Sequence, residues 1–346
     1  MNNNRYIRQI LLDKIGQSGQ HKLSQSHVIV IGCGGLGSIA APYLAGAGVG
    51  KITLVDADQP HISNLHRQVF FEQKNIKETK SKVLAEHINK LNSEIEVAVV
   101  EQMLTKKNIT EIISKEAVVL ECTDHIMTKY LVNDYCHMNN IPLVYGAIHK
   151  YDGYISFFEN KDKDSIHLRD VFPEPNEDIP TCSEVGVMGT LAGLIGIMQA
   201  NEAIKHITGA GTTLVNQLLT YNILDNTQMK LKLKKSYKNE ISAIYQVSSY
   251  LSKTNCDITE ITLEELHSNR SKYHLISILE DYEHKDIDDK VEHIPLSTIH
   301  LEELVEDIEG PTVFYCTTGK RSAVLVRMMK AIDSEIEIYS LKKGLK

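Results

Sequence analysis

Gly32-Cys33-Gly34-Gly35-Leu36-Gly37 follows a short apolar run, His27–Ile31, and opens a segment of small residues with helical character, Leu36–Ala47. Glycines at such a junction let the backbone turn tightly and approach a phosphate. The helix that follows presents free N–H groups and a partial positive charge to it. Asp56 ends the next apolar run, where a carboxylate can accept a hydrogen bond from a ribose hydroxyl. The glycines alone fit a nicotinamide or flavin enzyme as well as an ATP-using one. What comes after them argues against hydride transfer: Asp58, then Ser63-Asn64-Leu65-His66-Arg67-Gln68, then Lys80, and Asp124 closing Glu121-Cys122-Thr123-Asp124. Arg67 and Lys80 suit a triphosphate, and Asp124 suits a magnesium ion bridging phosphate oxygens. Hydride transfer requires no such set of charges.

Two cysteines sit where a thiol could react. Cys316 ends the run Thr312–Tyr315 and begins Cys316-Thr317-Thr318-Gly319-Lys320-Arg321-Ser322 before a helical segment. A loop of this kind wraps N–H groups around the sulfur, and Lys320, Arg321 and the helix dipole favour an anion there, either thiolate or persulfide. Cys182 lies in a polar loop just before an apolar helix starting at Val185, a position that can lower a thiol pKa. Cys33, in the glycine loop, and Cys122 and Cys136, on apolar strand or helix positions, read as buried and inert.

These residues must be held by a regular scaffold. Apolar runs at His27–Ile31, Lys51–Asp56, Ile95–Val100, Ala117–Glu121 and Ile141–Tyr145 alternate with helical spacing, as at Ile126–Met138. Continuous apolar strands separated by helices imply a mostly parallel, Rossmann-like α/β sheet covered on both faces. Gly153–Phe158 and Met229–Leu233 alternate apolar and polar residues, which predicts an antiparallel, half-exposed extension. Asn160–Asp164 and Pro173–Pro180 read as a long mobile loop. The first domain is expected over 1–240 and a linker over 241–257. A small α/β domain is expected over 258–346: helix Leu263–Ser268, strand His274–Leu279, helix Leu301–Ile308, strand Thr312–Tyr315, helix Ala323–Ile332, strand Glu335–Tyr339.

Composition narrows the class further. A net charge of −8 argues against a general nucleic-acid binder, which needs a basic face. The most lipid-like stretch, Val185–Ala200, is too short and interrupted to span a bilayer, so no membrane is expected. The N-terminus shows no apolar signal segment, and the six cysteines show no CxxC pair. A reducing, cytoplasmic setting with free thiols is the expectation.

Several motifs together resemble the MoeB/ThiF/HesA family, the bacterial relatives of ubiquitin-activating enzymes: Arg5-Tyr-Ile-Arg8-Gln9, Gly32–Gly37, Ala47-Gly48-Val49-Gly50, Asp56-Ala-Asp58, Ser63–Gln68, Thr123-Asp124, Pro142–Gly146 and Thr181–Gly189. The resemblance covers roughly residues 4–235. It implies that Gly34, Gly35, Gly37, Asp56, Asp58, Asn64, Arg67, Gln68, Lys80 and Asp124 bind Mg-ATP. It also implies a homodimer in which Arg8 reaches the neighbouring subunit's nucleotide. The implied substrate is the C-terminal Gly-Gly of a ubiquitin-like sulfur carrier, MoaD-like or ThiS-like, serving molybdopterin or thiamine biosynthesis. Many members carry two CxxC pairs holding a structural zinc. Here the first place reads His167-Leu-Arg-Asp170 and the second, after Leu233, has no cysteine, so zinc is not expected. In the family, the position of Cys182 serves some members in covalent intermediates.

The CxxGxRS pattern at Cys316 resembles the active loop of rhodanese-type sulfurtransferases, and His293-Ile-Pro295-Leu-Ser297 fits the same domain. The family's Asp-x-Arg after the first strand appears as Ser277-Ile-Leu279, so a supporting charge is lost. The combined expectation is an adenylyltransferase that activates the carrier's carboxylate, followed by sulfur transfer from a persulfide donor through Cys316. Three alternatives stay open: an NAD-dependent oxidoreductase, a relative that activates a carboxylate on tRNA, and a non-catalytic scaffold.

Overall fold

The computed structural model describes residues 3–175, 186–244, 260–283, 290–299, 301–308, 310–333 and 336–345. The chain divides into two compact units, Met1–Val247 and Ser248–Lys346.

In the first unit, α1 (Asn3–Ile10) and α2 (Gly16–Gln25) precede β1 (His27–Ile31), α3 (Gly37–Ala47), β2 (Lys51–Val55), α4 (Lys80–Leu91) and β3 (Glu96–Val100). Then come α5 (Ile109–Ile112), β4 (Val118–Glu121), α6 (Ile126–Met138), β5 (Leu143–His149), β6 (Asp152–Phe158), α7 (Leu168–Val171), α8 (Gly189–Thr208), β7 (Gln217–Asn222) and β8 (Gln228–Lys232). The eight strands form one sheet in the order β3-β2-β1-β4-β5-β6-β7-β8. The first five are parallel; β6, β7 and β8 each pair antiparallel with the strand before.

Burial explains the strand types. Val28–Ile31 and Val118–Glu121 are buried along their whole length, as expected for central parallel strands with helices on both faces. Each such Val, Leu or Ile removed from water contributes about 1.5–3 kcal/mol. The antiparallel extension departs from the expected half-exposure. β6 is mostly buried because α8 lies directly on it: a Cβ on Gly153 would fall 2.4 Å from Ile195 Cδ1. β8, at the edge, is exposed throughout. β7 shows no apolar–polar alternation because Leu218 and Leu219 are adjacent and both buried.

The segment read as a mobile loop is tied down over its described part. Asn160 is buried, and its amide donates to Ile141 O at 2.8 Å. Asp162 Oδ1 accepts from the Asp164 N–H and the Ser165 hydroxyl, so side-chain turns replace a loose connection. Residues 176–180 of the expected loop lie outside the described residues. The apolar helix begins at Gly189 and extends to Thr208, eight residues past its expected end, closing on Gly209 at φ 78°. Among the described residues, no helix is long and apolar enough to cross a membrane.

The second unit comprises β9 (Glu260–Ile261), α9 (Leu263–Ser268), β10 (His274–Ser277), β11 (Val291–His293), α10 (Leu301–Asp307), β12 (Thr312–Tyr315), α11 (Lys320–Ile332) and β13 (Ile338–Leu341). Its five strands are all parallel, in the order β11-β10-β12-β13-β9. Leu275, Ile276, Val313, Phe314, Val326 and Met329 fill its core. β9 and β11 are too short to leave a periodic signal.

Candidate active site

β1 and β4 are neighbours in the sheet, yet the chain runs from β1 towards β2 on one side and returns to β4 on the other. Connections diverge at this point, and the carboxyl ends of the strands open a crevice there. The glycine loop occupies it. A Cβ on Gly37 would lie 1.9 Å from Gly32 O, so the turn into α3 closes only with glycine. Gly32, at φ 91°, sits against the end of β4: a Cβ there would lie 3.0 Å from both Cys122 C and Thr123 Cγ2. Asp124 is the next residue. It is exposed and, among the described residues, makes no hydrogen bond or ion pair.

Arg67 and Gln68 close the other side. A Cβ on Gly35 would stand 3.8 Å from Arg67 Cγ and Cδ, so the guanidinium stem passes along the loop. Arg67 Nη1 donates to Ser63 O at 3.0 Å and contacts His66 Nε2 at 2.7 Å. Burial and the Arg67 charge lower the His66 pKa. Asn64 Oδ1 accepts the His61 N–H, fixing the turn that delivers Arg67. α8 begins here as well: a Cβ on Gly189 would lie 2.3 Å from His66 O.

Asp56 is buried at the end of β2. Its Oδ2 accepts the Cys33 N–H at 2.7 Å and its Oδ1 the Asp58 N–H at 2.8 Å. Burial raises its pKa, opposed by the nearby Lys80 charge and these two N–H bonds. Lys80 is buried, with Nζ 3.3 Å from Asp58 Oδ2, and its backbone N–H donates to Asp58 O at 2.8 Å. Lys80, which suits a triphosphate, is held here by a largely exposed partner, Asp58.

Two observations fit an anionic nucleotide in this crevice. The nearest atom to a Cβ built on Gly34 is Gln68 Nε2 at 3.6 Å, so the loop leaves open space of the kind a phosphate fills. Gln68 is only 4% exposed, and its Oε1 has no hydrogen-bond partner among the described residues. Asp124 offers a single unengaged carboxylate, and no group of three or more His, Cys, Asp or Glu able to hold a metal occurs among the described residues. That donor set suits magnesium, which takes one or two carboxylates and completes its shell with water and substrate oxygens.

The structure therefore brings Gly34, Gly35, Gly37, Asp56, Asp58, Asn64, Arg67, Gln68, Lys80 and Asp124 to one sheet edge. It does not bring Arg8 there. Tyr6 packs on Gly48 and takes a hydrogen bond from Asn92, and Gln9 donates to Ala47 O. These contacts anchor α1 at the opposite edge of the sheet. Cys182 lies outside the described residues. Burial pushes the thiol pKa values of Cys33, Cys122 and Cys136 well up, as their inert reading requires.

Residues that the sequence reading passed over support the same edge. Glu121, at the end of β4 and three residues before Asp124, forms a buried pair with Lys129, and Gln199 bonds to the Glu121 carbonyl. A lone lysine inside the apolar helix Ile126–Met138 was the available signal.

The place where relatives would hold zinc contains a polar knot. Asp170 accepts the N–H groups of Ser236, Tyr237 and His167 at 2.7, 2.8 and 3.0 Å, and Lys235 lies 3.6 Å away. The His167 and His137 rings meet at 4.3 Å. Arg169 pairs with Asp134 through Nε and Nη2 at 2.9 and 2.8 Å.

In the second unit, Cys316 follows β12 and is 0% exposed, with Sγ 3.7 Å from Ser322 Oγ. Gly319, at φ 80°, caps the start of α11. Arg321 forks onto Glu283 at 2.7 and 3.0 Å and donates to Thr317 Oγ1 at 3.3 Å. Glu283 thus supplies the partner charge that Ser277-Ile-Leu279 does not.

Fold and crevice together define a nucleotide-binding α/β protein built on a doubly wound sheet. Residues 6–242 match the profile of the ThiF family, and the chain belongs to that family. It is 39% identical over 225 residues to the SAMP-activating enzyme E1 of Haloferax volcanii, covering 64% of this chain and 82% of that protein. It is 35% identical over 240 residues to the sulfur carrier protein adenylyltransferase of Thermus thermophilus, covering 67% and 88%. It is 38% identical over 233 residues to the adenylyltransferase and sulfurtransferase MOCS3 of Caenorhabditis briggsae, covering 67% of this chain but only 58% of that one. Among solved structures, E. coli MccB with ATP shares the fold, with a TM-score of 0.59 at 23% identity over 68% of this chain and 73% of that one.

Proposed function

We propose that the first unit adenylates the C-terminal Gly-Gly carboxylate of a ubiquitin-like sulfur carrier with ATP. One observation carries the reading: the Arg67 stem runs along Gly35 of the glycine loop, and Thr123, which leads into Asp124, packs on Gly32 of the same loop. The relatives' names, which describe adenylyltransferases and carrier-activating enzymes, support it. The carrier carboxylate attacks the α-phosphorus, and the bond to the bridging oxygen breaks as pyrophosphate leaves. Arg67 and Lys80 neutralise charge on the phosphates, and the loop N–H groups orient them. Bound magnesium, held by Asp124, would supply charge neutralisation between phosphate oxygens. Asp56 and Gln68 hold the nucleoside side of ATP: Asp56 keeps acceptor capacity for a ribose hydroxyl, and Gln68 Oε1 lacks a donor among the described residues.

The second unit serves as a rhodanese-like sulfur donor. A persulfide on Cys316 attacks the acyl carbon with its outer sulfur and expels AMP, leaving the carrier joined to Cys316 through an acyl disulfide. A second thiol attacks the Cys316 sulfur, forms a disulfide with it and releases the thiocarboxylate. The resulting disulfide is reset by a dithiol reductant. A homodimer in which Arg8 serves the neighbouring nucleotide agrees with the anchoring of α1 away from its own crevice.

Incubating the protein with ATP, magnesium and carriers ending in Gly-Gly, then weighing the carriers, tests the first step. A carrier gaining one AMP moiety is expected. If every carrier keeps its mass and no pyrophosphate is released, the adenylation reading fails.

A further inference from the structure

We propose that the buried Glu121–Lys129 pair is a positioning device that sets Asp124 and the phosphate loop in register; this rests on the nucleotide reading above. Side chains of the pair are 0% and 7% exposed, and Lys129 Nζ lies directly on Glu121 Oε2. Lys129 also donates to Gly146 O at 2.8 Å, and Nζ stands 5.1 Å from the centre of the Tyr145 ring. Both contacts fix the lysine to β5. The second carboxylate oxygen of Glu121 accepts the N–H and the hydroxyl of Thr123. Gln199, from α8, donates to the Glu121 carbonyl at 2.8 Å, and Cys122 Sγ donates to Gln199 Oε1 at 3.3 Å.

The turn leaving β4 is therefore tethered at Glu121, Cys122 and Thr123, from β5 on one side and α8 on the other. Among the described residues Asp124 has no tether of its own, and it takes its position from Thr123. Gly32 rests on Cys122 and Thr123, so the same clasp bears on the loop. Packing alone does not call for a charged pair here. Burying two ions costs several kcal/mol each, and apolar residues of similar volume usually serve stability as well or better. What a fully bonded pair adds is a single geometry, and the geometry it fixes is that of the acid one residue beyond the clasp.

The test compares wild type with Lys129→Arg and with the double variant Glu121→Gln/Lys129→Met, which removes both charges and leaves no lone buried ion. ATP affinity is measured by calorimetry with and without magnesium, alongside thermal melting and carrier-dependent ATP–pyrophosphate exchange. The double variant is expected to melt close to wild type and to bind ATP normally without magnesium. It should lose about tenfold or more of the affinity that magnesium adds, the scale seen when second-sphere partners of a metal ligand are removed. Its exchange kcat should fall about 10–100-fold with KM changed less. Lys129→Arg should recover most of both. A double variant with wild-type magnesium response and kcat overturns the proposal, as does a loss of ATP affinity that is equal with and without magnesium. If wild type binds Mg-ATP but no Gly-Gly carrier supports exchange, the adenylation reading fails while the clasp is still judged on the magnesium response.

Discussion

The Cys33 N–H donates to the Asp56 carboxylate across 2.7 Å, binding the glycine loop to the end of β2. One loop N–H is thereby spent on the protein, and Asp56 is a structural post as well as the proposed ribose acceptor. Asp56→Ala leaves the N–H groups of Cys33 and Asp58 without their partner. A loss of about 1–3 kcal/mol in stability is expected. ATP affinity should fall with it. Chemical denaturation and nucleotide titration check the two effects, and a variant with normal ATP affinity would remove the ribose role.

Gly34 and Gly37 separate binding from folding. A Cβ on Gly34 meets nothing closer than 3.6 Å, whereas one on Gly37 would overlap Gly32 O at 1.9 Å. Gly34→Ala should melt like wild type yet lose about tenfold or more in ATP affinity, because the methyl takes phosphate space. Gly37→Ala should fail to fold or melt far lower. Thermal melts with and without ATP distinguish them.

The knot around Asp170 predicts a first unit that stands without zinc. Purified protein should hold far less than one zinc per chain, and a chelator should not shift its melting. Asp170→Ala should cost about 2 kcal/mol by leaving three N–H groups unpaired. The two nearby histidines add a pH signature. Burial lowers the pKa of both His137 and His167 from the ordinary 6.5. Below that value the unfolded chain takes up protons that the fold refuses, so stability should fall as pH drops from about 7 to about 5. Asp170 acts in the same direction at lower pH. Although burial opposes its charge, the three N–H bonds hold its pKa below the ordinary 3.8, so its contribution is intact above that value and is lost as the pH falls below it. His137→Gln should flatten the slope in a melt series across that range; an unchanged slope would assign the acid lability elsewhere.

Much of this arrangement was legible in the sequence because the phosphate loop is local. Six contiguous residues encode the turn, and Asp56, Arg67, Lys80 and Asp124 follow strand ends that apolar runs mark well. The clasp was not legible. Glu121, Lys129, Gly146 and Gln199 meet only through the sheet and α8, and no spacing along the chain announces pairings of that range. The Asp58 grip on Lys80 and the Glu283 grip on Arg321 were missed for the same reason. Short edge strands, β9 and β11, carry too few residues for periodicity to register.

Cys316 gives the second unit its own test. Cys316→Ala should leave adenylation unchanged and abolish loading of sulfur from thiosulfate, read as the mass gain of one sulfur atom on the protein. Gly319→Ala should impair loading too, since φ 80° is strained for alanine and its Cβ would approach Leu341 O at 2.8 Å. Loading that survives in Cys316→Ala would place the donor elsewhere.

The central claim is that Asp124 and the cations around the glycine loop activate a carrier carboxylate with ATP. Carrier-dependent ATP–pyrophosphate exchange in wild type and Asp124→Ala measures it most directly. Exchange is expected in wild type, with a loss of about a hundredfold or more in the variant and the fold intact by melting. Exchange at the wild-type rate in Asp124→Ala would contradict it.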